Sequence, residues 1–259
     1  MIALHVLVGL LTLIWTPYDP TAMAGGRLEM PSMLHPAGTD RLGRDLLTLI
    51  MIGSRIALIV GTGAVLIGGA IGITLGMLSA FASRTLDDAL AATLDIMIAF
   101  PTLLLAMLIV AATDGASLGT AVIAIGIANS AIVARLTRIL VKRVLGMDFI
   151  TASRISGTSW PGVIVTHILP NIWPTLLVNL ALQFGLAVIA EASLSYLGLG
   201  APPPNASWGR LLQEAQGTVY TAPLGAIAPG IALVSLVIAI NLMADGLRDL
   251  ADPTRRTRT

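Results

Sequence analysis

Four polar side chains, Asp95, Asn179, Gln183 and Glu191, fall in stretches that are otherwise apolar enough to cross a bilayer, and they are the candidates for guiding a solute or an ion. A carboxylate near mid-bilayer costs on the order of 2.5 to 3.5 kcal/mol on insertion scales. Asp95 must therefore face protein or water, lie near the headgroups, or pair with a basic residue. Asn179 and Gln183 are four apart and share a helix face, with Glu191 offset from Gln183 by roughly 80° at about 100° per residue. Such a sector suits a water-filled path or, equally, hydrogen bonds between helices. Bond-making chemistry has little to work with: there is no Cys, and His5, His35 and His167 are scattered singly. No Gly is followed by Lys and then Ser or Thr, and neither HExxH nor GxSxG occurs. The chain therefore has no phosphate loop of its own, and it reads as a conduit rather than a catalyst.

A second group of polar residues interrupts the apolar pattern at 149–171, and it must lie outside the bilayer. Its punctuation is that of two short helices. Gly157 can take the left-handed conformation that ends a helix, Thr158 and Ser159 offer caps for a second, and Pro161 falls in that helix's first turn. Pro170 is expected to close the second helix by Leu169. A short plug on a tight turn suits docking into a partner protein. An ordinary interhelical loop is the alternative.

The elements that must position these residues are membrane spans. A hydrophobic share of 56%, a charged share of 11% and a mean hydropathy of +0.89 over 259 residues exclude a soluble class. The net charge of +1 gives no hint of nucleic acid. We expect an all-α polytopic membrane protein, a single transmembrane domain over 1–259, with six spans at about 2–16, 56–83, 89–112, 119–137, 172–197 and 224–244. Loops at 17–55 and 198–223 lie on one side and the segment 145–170 on the other. The first span is short against the roughly 20 residues a crossing helix wants, and it lacks a basic leader, so a clipped span is preferred to a signal peptide. Within 17–55, Thr39 is expected to cap an interfacial amphipathic helix at 40–52. No ionisable side chain occurs in 56–83, where Gly68, Gly72 and Gly76 recur every four residues and line one face. Close helix packing is the main reading of that ridge, over a direct role in transport. In 198–223, Ser207 is expected to cap a short helix, with Trp208 and Tyr220 in an aromatic interface belt.

Orientation follows from the basic residues. Placing 145–170 in the cytoplasm puts Arg84, Arg135, Arg138, Lys142, Arg143, Arg154, Arg248, Arg255, Arg256 and Arg258 inside. Only Arg27, Arg41, Arg44, Arg55 and Arg210 remain outside, so both termini are expected in the cytoplasm. Two mechanisms compete. The chain is either moved by separate ATPase subunits that grip the plug, or is a self-contained secondary transporter with Asp95 and Glu191 as proton or ion sites. The second predicts internal repeats with matched broken helices, and the sequence contains none. The first accounts for the plug and the missing phosphate loop together.

Thr151-Ala152-Ser153, then Gly157, then Leu169-Pro170 resembles the EAA loop of bacterial ABC importer permeases, in which Glu-Ala-Ala, Gly and Ile-x-Leu-Pro are spaced alike. Thr151 stands where that pattern has Glu, Ser153 where it has the second Ala, and His167 where it has Ile. Further strings resemble the C-type subunit of the dipeptide, oligopeptide and nickel permeases: His35-Pro36, Gly38-Thr39-Asp40, Leu42-Gly43-Arg44-Asp45, Ala99-Phe100-Pro101, Glu191-Ala192-Ser193, Ser207-Trp208-Gly209 and Asp245-Gly246-Leu247-Arg248-Asp249. The resemblance implies the type I ABC importer permease fold in a bacterial inner membrane. It implies a heterodimer with a homologous B-type permease, two cytoplasmic ATPase subunits that bind ATP and Mg, no cofactor in this chain, and an extracytoplasmic substrate-binding protein. Coupling to the ATPases would fall to Asp148, Phe149, Thr151, Ala152, Ser153, Arg154, Gly157 and Thr158. Peptides are the implied substrate, with glutathione or a nickel chelate as the alternative.

Overall fold

A computed structural model describes residues 1–113, 115–202 and 205–251, so Arg255, Arg256 and Arg258 lie outside the described residues, as do Pro203 and Pro204 of the loop after residue 197. Among the described residues the secondary structure is helical, apart from one isolated bridge between Thr39 and Asp45. Helices are what a chain without water around it must form, because each satisfies its backbone donors and acceptors internally. In order they are α1 (Ile2–Leu11), α2 (Leu46–Phe81), α3 (Arg84–Ala99), α4 (Thr102–Ala111), α5 (Leu118–Leu145), α6 (Asp148–Ile155), α7 (Trp160–Val163), α8 (Leu169–Tyr196), α9 (Trp208–Ala215) and α10 (Leu224–Ala251).

By length and apolarity, α2, α5, the continuous rod Trp160–Tyr196 and α10 can each cross a membrane. The pair α3 and α4 makes a fifth crossing if counted as one. The ten-residue α1 is apolar but, at about 1.5 Å per residue, spans only some 15 Å. Several boundaries differ from expectation for local reasons. α2 starts ten residues before Ile56 and absorbs most of the separate helix expected at 40–52. The cap is Asp45, not Thr39: Asp45 Oδ2 accepts from Thr48 N at 2.8 Å, and the same carboxylate is held by His35 Nδ1 at 2.9 Å. The stretch 89–112 is not one helix. Phe100 is extended ahead of Pro101, as the residue before a proline tends to be, and α3 and α4 meet at 92°. α5 and α10 run on past 137 and 244, because the charged residues there carry no helix-stopping signal.

The frame of the molecule is the contact between α2 and α5. A Cβ added at Gly68 would lie 2.8 Å from Gly126 O, one at Gly72 would lie 2.6 Å from Val133 Cβ, and one at Gly76 would collide with Ala134 O. The α2 glycines thus let the backbone and Cβ atoms of α5 approach closely, the arrangement that strengthens dispersion contact where lipid offers helices no hydrophobic drive to associate. Around this axis lie two apolar cores. One joins Leu49, Ile56, Ile125, Leu194, Trp208 and Leu236; the other, toward the opposite end of α5 and α8, joins Val141, Ile150, Val163, Ile168 and Leu176.

Gly72→Val should overpack this seam at a cost of roughly 1–3 kcal/mol. The expected outcome is a lower melting temperature of the purified protein in detergent. Gly230→Ala, on α10 where an added Cβ meets nothing within 4 Å, should not destabilise. Equal melting of the two variants would remove the seam from its place in the frame.

Candidate functional site

The segment 149–171 folds as a hairpin at one end of the bundle. Gly157, at φ +89°, makes the turn after α6, and Pro161 sits in the first turn of α7. The second helix does not close at Pro170. A π-helical turn at Ile164–Ile168 carries it into α8, with Leu169 N donating back to Ile164 O. The wide turn reorganises the hydrogen bonds where Pro170 brings no N–H, so the local stop signal is overridden. Asn171 lies inside the rod, where its Nδ2 donates to His167 O.

Ile150 points inward at 3% exposure and joins the apolar core at the ends of α5 and α8. Asp148, Phe149, Thr151, Ala152, Arg154 and Gly157 are exposed, while Ser153 and Thr158 are half-buried. Ile155, at 81% exposure, is an apolar side chain held out at the tip. The outer surface is nonetheless tied down. Arg154 stacks 4.5 Å above the Trp160 ring and donates to Thr158 O, and Trp160 packs edge-on against Phe81 at the end of α2. Ser153 Oγ and His167 Nε2 are hydrogen-bonded at 3.1 Å. These are two of the three positions that depart from the EAA pattern, and they meet each other.

The four intramembrane polar candidates are not gathered into one site. Asp95 is 60% exposed at its side chain and pairs with Arg135 at 3.2 Å, in a cleft with Ala91, Leu94, Arg138 and Ile139. Glu191 is buried and accepts from Ser195 Oγ at 2.6 Å. Asn179 and Gln183 sit on successive turns of α8, and Asn179 Oδ1 and Gln183 Oε1 are buried without a hydrogen-bond partner. Asn179 lines a groove of about 400 Å³ floored by Pro174, Thr175, Val178 and Leu182 and walled by Leu136 of α5 and Arg248 of α10. In the sequence Arg248 reads only as a topogenic charge and part of a family string, and Asn129, whose Nδ2 is also buried without a partner, carries no local signal.

Two further constellations escaped local pattern reading. Near the hairpin end, Asp87 receives Arg138 Nε at 2.6 Å and Nη2 at 2.7 Å, Ser79 Oγ at 2.8 Å, and Lys142 Nζ. This ties α2, α3 and α5 together around a carboxylate whose side chain is 8% exposed. At the other end, Trp208 is not in an interface belt. It is 2% exposed, seated over Gly53, and its Nε1 donates to Ile50 O at 3.0 Å. Ser207 caps α9 by accepting from Arg210 N, and Arg44 bridges Asp40 to Glu214 at 2.7 Å. The lid formed by α9 is thereby fixed to α2 and to the loop before it.

A family model described as binding-protein-dependent transport system inner membrane component matches residues 72–257. The dipeptide transport system permease protein DppC of Alkalihalophilus pseudofirmus is 39% identical over 231 residues, 89% of this chain and 76% of that protein. The glutathione transport system permease protein GsiD of Pectobacterium atrosepticum is 38% identical, covering 87% of this chain and 74% of its own length. The nickel transport system permease protein NikC of Escherichia coli is 35% identical, covering 98% and 91%. Among solved structures, an inward-facing MetNI methionine ABC transporter chain superposes with a TM-score of 0.67 at 19% identity, over 79% of this chain and 96% of that one. That likeness concerns the fold.

Removing the Asp87 charge leaves Arg138 and Lys142 without their counter-ion. Asp87→Asn should therefore destabilise the protein by about 2 kcal/mol, below the full cost of breaking a deeply buried pair because Lys142 reaches solvent. Asp88→Asn, whose partner Arg84 is 96% exposed at its side chain, should be silent. Melting of the two variants in detergent checks the contrast.

Proposed function

Because the chain belongs to the family of binding-protein-dependent transport system inner membrane components, we propose that it forms half of the translocation path for di- or oligopeptides delivered by a solute-binding protein. It is the permease subunit of an ABC importer and not itself an enzyme; ATP hydrolysis belongs to separate subunits. In this reading a homologous B-type permease supplies the other half of the path, and two cytoplasmic ATPase subunits hold ATP and Mg. They grip the surface formed by Asp148, Phe149, Thr151, Ala152, Ser153, Arg154, Gly157 and Thr158. Both termini are cytoplasmic, in keeping with the excess of basic residues on the hairpin side.

The observation that carries the coupling role is the hairpin. It is exposed along its outer surface, yet its inner face is anchored by Ile150 to the ends of α5 and α8. It also continues without a loop into the helix that floors the groove. Force applied to α6 is therefore transmitted to α8 rather than dissipated in a flexible link. ATP-driven closure of the ATPases would draw the hairpins of the two permeases together and open the outer face, a rigid-body form of alternating access. Asp95 and Glu191 serve structure in this account: one is in an ion pair and the other is hydrogen-bonded to Ser195.

Peptide transport is named for the DppC relatives of A. pseudofirmus and Pseudomonas aeruginosa, each 39% identical. Glutathione, named for GsiD, contains peptide linkages and falls in the same chemical class. A nickel chelate, after NikC, is the second reading.

The test is ATP-dependent uptake of a labelled dipeptide into vesicles holding the reconstituted complex. Uptake that proceeds without ATP but collapses with the proton gradient would sink the ATPase-driven reading, and uptake confined to chelated nickel would transfer the substrate assignment. Within that assay, Gly157→Val places a β-branched residue at a positive φ, which distorts the turn. The variant should stay in the membrane and lose the link between hydrolysis and uptake. Normal transport by it would remove the hairpin from the coupling role.

A further inference from the structure

Among the described residues, the groove on α8 has one charged group in its lining, and that group is a cation. The ion pairs among the described residues engage Arg44, Arg84, Arg135, Arg138, Lys142 and Arg210, and they leave Arg248 out. On the floor opposite, Thr175 and Asn179 are four residues apart and so follow one another along a single face. Asn179 lines the groove, while its Oδ1 is buried without a hydrogen-bond partner. The remaining surface is aliphatic: Leu136, Val178 and Leu182. The volume of about 400 Å³ lies within the roughly 300–1,000 Å³ range of small-molecule sites.

We infer that Arg248 receives the carboxylate of the transported peptide, while the polar residues Thr175 and Asn179 line the groove beside its backbone. This rests on the peptide-permease reading given above and deepens it by naming the groups that recognise the substrate inside the permease. The chemistry of the lining fits a molecule that is anionic at one end, carries N–H donors along its length and has apolar sides. A planar guanidinium can hold a carboxylate through two parallel hydrogen bonds. A bare divalent cation meets repulsion from Arg248, so this groove favours a carboxylate-bearing solute over free metal. Because the groove is walled by α5 and α10 and floored by the helix that continues from the hairpin, its width changes when α8 moves against its neighbours. Binding and release of the carboxylate are thereby linked to the same motion.

Uptake of one dipeptide, delivered by its binding protein to the reconstituted complex, is compared for the wild type, Arg248→Gln and Arg248→Lys. The glutamine variant should fall roughly tenfold or more, the scale of one lost charge-assisted hydrogen bond. The lysine variant should fall less, because it keeps the charge while losing the two-pronged geometry. A loss or a retention that is the same in both variants would overturn the assignment, since a structural role for the long side chain would not follow charge. The assay is repeated in vesicles of neutral lipid alone. A glutamine defect that disappears there would give the groove to an anionic lipid headgroup and also overturn the proposal. A wild-type complex that takes up no peptide would instead overturn the reading of the substrate.

Discussion

The close approach of α2 and α5 is the contact on which the other elements depend. Because Gly68, Gly72 and Gly76 carry no side chain, the backbone and Cβ atoms of α5 approach α2 closely, and the ends of α5 are then placed within reach of everything else. At the hairpin end this seam brings Arg138 and Lys142 to Asp87, which fixes the start of α3. Farther along, Val141 and Val144 receive Ile150. Lipid does not drive helices together as water does, so a membrane protein that needs a stiff frame must find it in packing of this kind. The polar contacts at either end add directionality to a frame that packing has already set.

Stiffness at that axis contrasts with what surrounds the groove. The α8 floor is attached to the hairpin without a break, while Leu136 and Arg248 look across it from different helices. A transporter needs both properties, a part that does not deform and a part whose separation changes. The broken pair α3 and α4 sits outside the α2–α5 seam, joined to it by the Asp87 cluster and by packing on α5. The α9 lid is held more tightly: Trp208 reaches into the core over Gly53, and Arg44 ties two acidic residues from separate segments.

Much of the helix pattern was legible in the sequence, because long ion-free stretches have few structures open to them in a bilayer. The glycine ridge was legible for the same reason: a period of four has a simple geometric meaning on a helix. What stayed hidden were pairings across large separations. Asp87 and Arg138 are 51 residues apart, and counted singly they read as a loop marker and a topogenic charge. Trp208 resembles an interface anchor until Gly53, far away in the chain, provides the space for it to sink. Pro170 and Thr39 misled in the opposite way. Each carries a sound local signal, a stop and a cap, and each was overruled by neighbours: a wide helical turn in one case, and the His35–Asp45 pair in the other.

The π-helical turn at Ile164–Ile168 has a further consequence, for helical phase. Such a turn holds one more residue than the α-helical path around it, and in an α-helix each residue advances the azimuth by about 100°. The side chains of α7 and those of α8 are therefore out of step with a single uninterrupted helix. Val163 and Ile168 both face the inner core across the bulge, although regular α spacing would set them roughly 140° apart at five residues' separation. The bulge thus acts as a phase corrector between the two ends of one rod. It lets the hairpin present one azimuth while the groove floor presents another.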